Sequence, residues 1–171
     1  TAAEVTSYFV PISLPLAARA ALWAGDPAVA VSIVAQLGTQ VNRGQAAALD
    51  HLTLRAGVAA LEGRRADAIA GYREALRGWR GLGLAFDEAM ATLDMAILLA
   101  PTEREMAEAP ALATAARETF ARLGARPMLA RFDSAGASSA GPTGPAAAGS
   151  EAPQARTTPA AREEQPVDLG R

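Results

Sequence analysis

Glycine and proline divide this sequence into short amphipathic segments, and this punctuation limits how the chain can fold more than any other feature. Gly25, Gly63 and Gly124 each follow a stretch with helical spacing of apolar residues, where a helix is expected to end. Asp26-Pro27 restarts a helix, because Asp caps a helix N-terminus and Pro is accepted at its first position. The sequence therefore predicts pairs of helices joined by tight turns.

Apolar residues spaced three and four apart define one face of each predicted helix. The first helix lies around residues 15–24, the second ends at Gly38, the third runs from about Gln45 to Glu62, and the fifth lies between Leu84 and Pro101. The predicted faces are Leu16, Ala20 and Trp23; Ala30, Ile33, Val34 and Leu37; Leu49, Leu52, Ala56 and Ala59; Ala68, Ile69, Tyr72, Ala75, Leu76 and Trp79; and Phe86, Met90, Leu93 and Ile97.

The segment after Pro101 is less regular. Thr102 and Glu105 have the spacing of a capping box, so we predict a short helical turn over residues 103–108. A further helix begins at Pro110, because Pro is poorly accepted inside a helix. Its face is Leu112, Ala116, Phe120 and Leu123, and a last short segment from Pro127 covers the end of the stack with Met128, Leu129 and Phe132.

The helix pairs repeat. Gly63 follows Gly25 by 38 residues, and Tyr72 follows Val34 by the same interval, whereas the third pair repeats the pattern at a longer spacing around Phe120. Self-similarity at such a period is typical of a solenoid, in which each hairpin buries its face against the next. We therefore predict an all-α helical-hairpin solenoid of about three antiparallel helix pairs.

Composition agrees with closely packed helices. Half of the residues are apolar but only 5% are aromatic, and alanine, the commonest residue, lets helices approach closely. The net charge of −2 gives no electrostatic drive towards nucleic acid or anionic membranes. The absence of cysteine excludes disulfides and thiolate metal sites. Arg19, Asp26 and Arg55 interrupt the apolar stretches before they reach the length of a membrane span.

The composition changes after Asp133. Residues 134–171 consist mostly of Ala, Gly, Ser, Thr and Pro, with only Val167 and Leu169 as larger aliphatics. Such a segment cannot bury enough surface to offset its ordering entropy, so we predict a disordered tail. The predicted domains are a helical repeat domain over residues 8–133 and this tail over residues 134–171.

The middle hairpin resembles the tetratricopeptide repeat. In that family a small residue, an aromatic and a second small residue mark the second helix, as Ala68, Tyr72 and Ala75 do here. The usual aromatic of the first helix is replaced by Ala59, so the repeat is degenerate. The resemblance implies a non-catalytic module that binds a protein, a peptide or a neighbouring domain.

A narrower resemblance covers residues 8–133. The runs YREALRGWRGLGLAFDEAMATLDMAILL (72–99) and ARETFARLGARPMLARFD (116–133) are similar to the carboxy-terminal helical domain of large bacterial signalling ATPases. These include adenylate and guanylate cyclases with an ATPase module and related transcriptional regulators. Since the chain starts with Thr1, we expect it to be the carboxy-terminal part of such a larger, cytoplasmic protein.

Five arginines form the most distinctive predicted surface, which we call the arginine stripe. Arg73, Arg77 and Arg80 share one helix face, and Arg64 and Arg65 lie at the preceding turn. Guanidinium groups in this arrangement can bind an acidic peptide, a phosphate or nucleic acid. The interpretation we favour is that these residues form the solvated helix face opposite Ile69, Tyr72 and Leu76. Glu74 reduces the positive charge of this face.

Other residues of chemical interest have structural explanations. Gly78, Gly81 and Gly83 follow a helix rather than a strand, so they are expected to end it rather than to bind a nucleotide. His51 is the single histidine, and with Asp50 it is expected to form a solvated pair. Trp23 and Trp79 are expected to pack in the core. The carboxylates of Glu103, Glu105 and Glu108 lie near a predicted helix start, where they are expected to interact favourably with the helix dipole.

We therefore expect no catalytic, cofactor-binding or metal-binding residues in this chain. The expected function is a protein-interaction or regulatory repeat module of a signalling ATPase or nucleotide cyclase. The alternative is part of a transcriptional regulator that contacts nucleic acid or an acidic partner through the arginine stripe. The expected partner is a protein, a peptide or a neighbouring domain, with nucleic acid less favoured and no membrane contact.

Overall fold

Tight turns and amphipathic segments produce helices throughout the described chain. The computed structural model describes residues 2–39 and 44–139, and within them it contains seven helices and no strand. They are α1 (Ala2–Trp23), α2 (Pro27–Gly38), α3 (Gln45–Leu61), α4 (Arg65–Gly81), α5 (Ala85–Leu98), α6 (Ala109–Arg122) and α7 (Arg126–Ser139). The predicted all-α fold class is confirmed.

Glycine ends four of the described helices in the same way. Gly25, Gly63, Gly83 and Gly124 have φ angles of 70°, 74°, 70° and 67°, in the left-handed region that favours glycine. At the second of them, the Gly63 N–H donates to the Ala60 carbonyl at 3.1 Å and the next N–H donates to the Ala59 carbonyl at 2.8 Å. This is the Schellman pattern, which satisfies the last carbonyls of a helix.

The predicted start of α2 is also confirmed. Asp26 is its N-cap, and the carboxylate of Asp26 accepts a hydrogen bond from the Val29 N–H at 3.1 Å. Pro27 occupies the first turn, where its missing N–H would have no helical partner in any case. Local sequence chemistry is therefore sufficient to set the boundary between α1 and α2.

Each helix packs mainly against its neighbours in the chain, and the odd-numbered helices also contact one another. Among the odd-numbered helices, contacts join α1 with α3, α3 with α5 and α5 with α7, and α1 also contacts α5 directly. The even-numbered helices contact chiefly the helices before and after them. Buried side chains form three clusters: one shared by α1–α3, one shared by α3–α6, which includes Leu112 of α6, and one shared by α5–α7.

The predicted buried face of α1 is wrong. Leu16 is 60% exposed and Ala20 is also exposed, whereas Ala18, Ala21 and Leu22 are buried against α2 and α3. The stripe through Leu16 has helical spacing, but so does the stripe through Ala18, and the positions of α2 and α3 decide between them. Trp23, at the end of the helix, is half-buried and packs on the third cluster instead.

The other predicted faces are largely confirmed, with exceptions at helix ends. On α4, Tyr72 is fully buried and Trp79 is 2% exposed, as predicted. Phe86 is 45% exposed in the first turn of α5, although the edge of its ring faces Phe120 at a centroid distance of 6.1 Å. Leu123 is 56% exposed, because it is the C-cap of α6 and lies beyond the packed face.

Three boundaries differ from the prediction, and the first is the start of α1, which lies at Ala2 rather than near residue 15. Residues 103–108 form turns rather than a helix, although the Met106 N–H donates to the Thr102 carbonyl as in one helical turn. The carboxy-terminal segment is longer than predicted, because α7 continues past Asp133 to Ser139. The predicted disordered tail otherwise falls on residues 140–171, which lie outside the described residues. In the part of the chain that is described, no helix combines the length and apolar character needed to cross a membrane.

Candidate functional site

Helix α4 positions most of the arginine stripe. Its buried face packs against α3 and α5, which turns Arg73, Arg77 and Arg80 away from the core. Arg65 begins the helix, and Arg64 is its N-cap residue. The arrangement of the five arginines along one hairpin is therefore as predicted, but their electrostatic partners divide them into four groups.

Arg64 makes only local ion pairs. Its Nε donates to Glu62 Oε2 at 2.9 Å and its Nη1 donates to Asp67 Oδ2 at 3.0 Å. About half of the Arg64 side chain is exposed, and ion pairs between exposed side chains add little to stability because water screens them. Arg64 therefore belongs to the turn rather than to a common basic surface.

Arg65 and Arg73 hold the connection between α5 and α6. Arg65 donates to both carboxylate oxygens of Glu105, with Nη2 to Oε2 at 2.7 Å, and to the Leu99 carbonyl at 3.0 Å. Arg73 donates to Glu108 Oε1 at 2.9 Å and to the Glu105 carbonyl at 2.8 Å. These contacts attach residues 99–108 to the side of α4.

The predicted role of the glutamates in this connection is therefore incomplete. The Arg65 guanidinium lowers the pKa of Glu105, and the Thr102 N–H and hydroxyl lower it further. Thr102 N–H donates to Glu105 Oε2 at 2.8 Å, which is the glutamate half of the predicted capping box. For Glu108, a backbone hydrogen bond lowers the pKa first and the Arg73 guanidinium adds to the effect. Glu105 and Glu108 bind arginines that are distant in sequence, which no helix-dipole argument could predict.

Arg80 and Arg77 differ in their pairing. Arg80 donates to Glu88 Oε1 through Nε at 3.0 Å and through Nη2 at 2.6 Å, which joins α4 to α5. Arg77 is exposed and makes no hydrogen bond or ion pair with the residues that the structure describes. Four of the five predicted arginines are thus paired with carboxylates, and Arg77 is the one that remains available.

A cleft of about 380 Å³ runs beside Arg77, between α4 and α6. We call it the α4–α6 cleft. Leu76, Met106 and Leu112 supply its buried apolar floor. Its walls are lined by Arg73, Arg77 and Arg80 of α4, by Glu108, and by Ala111 and Ala115 of α6.

A buried ion pair that the sequence reasoning missed joins α1 to α5. Asp94 is 1% exposed, and both of its carboxylate oxygens accept hydrogen bonds from Arg19 Nε, at 3.0 and 2.8 Å. The indole N–H of Trp23 donates to the same carboxylate at 2.9 Å. A signal was present in the sequence, because an acidic residue within the apolar run ATLDMAILL needs a buried partner.

Burial, together with the charges of this pair, shifts the pKa values of Asp94, Asp50 and Tyr72. Burial raises the pKa of Asp94, although the Arg19 charge and the hydrogen bonds from Arg19 and Trp23 oppose the shift. Burial also raises the pKa of Asp50, to about 6; the Arg19 charge opposes this shift, and Asp87 and Asp94 add to it. Tyr72, whose hydroxyl is buried without a hydrogen-bond partner among the described residues, has a pKa raised by burial.

The remaining sequence candidates have structural roles. The prediction that Gly78 ends a helix is wrong, because Gly78 lies inside α4, where an added Cβ would meet the Leu49 side chain, while Gly83 forms the turn to α5. His51 is half-buried with its ring against Gly38, and burial lowers its pKa. Trp79 packs in the core as predicted, and its indole N–H donates to Thr53 at 3.1 Å. Among the described residues, no group of three or more His, Asp or Glu side chains is arranged to hold a metal ion.

Comparisons with protein-family models, with curated proteins and with solved structures found no match to this chain.

Proposed function

We propose that residues 8–133 form a tetratricopeptide-like stack of helical hairpins that acts as a cytoplasmic, non-catalytic interaction or regulatory module. We further propose that this module is the carboxy-terminal part of a bacterial signalling ATPase or nucleotide cyclase, as the resemblance implies. The observation that carries the proposal is the recurrence of one structural unit: a helix, a glycine turn and a second helix that packs on the first. Stacked units of this kind present extended surfaces suited to peptides and neighbouring domains.

A cleft of about 370 Å³ also lies between the odd-numbered helices α1, α5 and α7, beside Trp23, Met90 and Met128. α1 and α5 contact each other directly, and Arg19, Trp23 and Asp94 fill the space where they meet. We propose partner binding on the side formed by the even-numbered helices instead, because the cleft between α4 and α6 is lined by Arg77, whose charge is unpaired among the described residues.

The nucleic-acid alternative has weaker support. Binding to phosphates requires several cations that are free to displace counterions. Arg65, Arg73 and Arg80 are each paired with a glutamate, which reduces the positive charge that the stripe presents. A partner that engages one arginine and an apolar surface fits this arrangement better.

Deletion in the complete gene product tests the proposed function. The resemblance predicts nucleotide hydrolysis or cyclisation by the whole polypeptide, so its rate and its response to effectors are compared with and without residues 8–139. We expect the deletion to change the regulation of the rate. Deletion of residues 140–171 is the matched control and should leave that regulation intact. A polypeptide that responds identically without residues 8–139 would contradict the proposal.

A further inference from the structure

The α4–α6 cleft combines an apolar floor with one unpaired guanidinium. Leu76, Met106 and Leu112 are each less than a tenth exposed, but parts of their surfaces line the cleft. Met106 comes from the connection between the helices, where Arg73 holds residues 105 and 108 in place. These hydrogen bonds attach to α4 the connection that carries Met106.

The two walls of the cleft have opposite character. The α6 wall exposes Ala111 and Ala115, whose small side chains allow a ligand backbone to approach closely. The α4 wall carries three arginines, and Arg73 to Arg80 span about two helical turns, or about 10 Å. The outer two are held by Glu108 and Glu88, so the charge that a ligand can engage is centred on Arg77.

We propose that this cleft binds an acidic amphipathic helix of a partner protein, with Arg77 pairing with one of its carboxylates. A guanidinium binds a carboxylate through two parallel hydrogen bonds, and such charge-assisted bonds are stronger than neutral ones. Aliphatic side chains on the same face of the partner helix contact the exposed Ala111 and Ala115 of the α6 wall. The inference depends on the proposed function, since it names the partner class and the surface of the same module.

Binding of a model peptide to the complete 171-residue chain tests the inference. The probe is a fluorescein-labelled peptide of about 15 residues, with leucine along one helical face and glutamate on either side of it. Fluorescence anisotropy gives the dissociation constant. Arg77→Ala should weaken binding about tenfold, because one charge-assisted pair is lost, and Arg77→Lys should weaken it less.

Matched variants separate the cleft from general electrostatics. Arg104 is exposed and lies outside the cleft, so Arg104→Ala changes the net charge equally and should leave the affinity unchanged. Ala115→Glu places a carboxylate in the cleft and should abolish binding, whereas Ala121→Glu, on an exposed part of α6, should not. A peptide with lysine in place of glutamate should not bind.

Three outcomes would overturn the inference. The peptide does not bind the chain, or the Arg77 and Arg104 variants lose affinity equally, or a duplex DNA oligonucleotide displaces the peptide and itself requires Arg77. In each case the deletion experiment still decides the proposed function separately. Changed regulation in the deletion, together with no effect of Arg77→Ala, would place the interacting surface elsewhere on the stack.

Discussion

At the scale of single residues, the pair formed by Arg19 and Asp94 links α1 to α5 through a buried carboxylate. A carboxylate that is 1% exposed is tolerated because a guanidinium and an indole N–H satisfy its oxygens. Removing one partner leaves the other charge buried and uncompensated, which costs more than the pair itself contributes.

We predict that Asp94→Ala lowers the free energy of unfolding by about 3–5 kcal/mol, measured by urea denaturation. Asp133→Ala is the control, because Asp133 is 73% exposed and lies 3.6 Å from Arg117; its cost should be below about 0.5 kcal/mol. A loss at Asp94 as small as the loss at Asp133 would show that the pair is not a major contributor.

Asp50 gives the stability a predictable dependence on pH. Its pKa is raised from 3.8 to about 6, chiefly by burial, so the folded chain holds a proton that the unfolded chain has already released. The contribution of Asp50 to the free energy of unfolding should therefore fall as pH rises from about 4 to about 6. Arg19 opposes this shift, and Asp87 and Asp94 add to it.

The variant Asp50→Asn should be more stable than the natural chain at pH 7 and nearly equal to it at pH 4, because the amide does not ionise. Thermal unfolding followed by circular dichroism at both pH values checks this. If the natural chain and the variant differ by the same amount at pH 4 and pH 7, the pKa of Asp50 is not raised.

At the scale of helices, close packing depends on residues without a side chain. A Cβ at Gly57 of α3 would lie 2.8 Å from Leu22, 3.1 Å from Leu98 and 3.3 Å from the Tyr72 hydroxyl. These atoms belong to three different helices, so a movement of α3 that lengthens one of these contacts shortens another. Glycine at this position allows α3 to approach α1, α4 and α5 simultaneously.

Gly57→Ala should therefore destabilise the chain by about 1–3 kcal/mol despite the better helix propensity of alanine. Gly81→Ala is the matched substitution, because no atom lies within 4 Å of its added Cβ at the end of α4. It should be neutral or stabilising by up to about 1 kcal/mol. Chemical denaturation of both variants measures the difference, and equal effects would contradict a packing role for Gly57.

At the scale of the whole molecule, the described helices also contact helices that are not their neighbours in the chain. In an ideal solenoid each hairpin touches only the next, and the ends can unfold separately. Here α1 contacts α5 through Arg19 and Asp94, and Trp23 packs on the α5–α7 cluster. The described residues also belong to one compact unit.

We predict that the stack unfolds in one cooperative transition. Trp23 and Trp79 report on different clusters through fluorescence, and circular dichroism reports on all helices. The two probes should give coincident urea curves. Two separated transitions would show that the contact between α1 and α5 does not couple the ends.

Much of this fold could be predicted from local sequence, because helix ends are set by residues adjacent in the chain. Asp26, Pro27 and Gly63 act through their own backbone conformations and nearest hydrogen bonds, and the structure places them as predicted. The face of α4 was equally readable, since its apolar stripe contains the large residues Tyr72 and Trp79.

Tertiary structure decided what local patterns leave open. Two stripes of α1 have helical spacing, and the positions of α2 and α3 select Ala18 and Leu22 for burial rather than Leu16. The glycine punctuation by itself determined where α1, α3, α4 and α6 end, because each of those ends involves a few neighbouring residues. The contacts of Arg65 and Arg73 and the pairing of the buried Asp94 join residues that are 32 to 75 positions apart in the sequence, and only the packed chain brings them together.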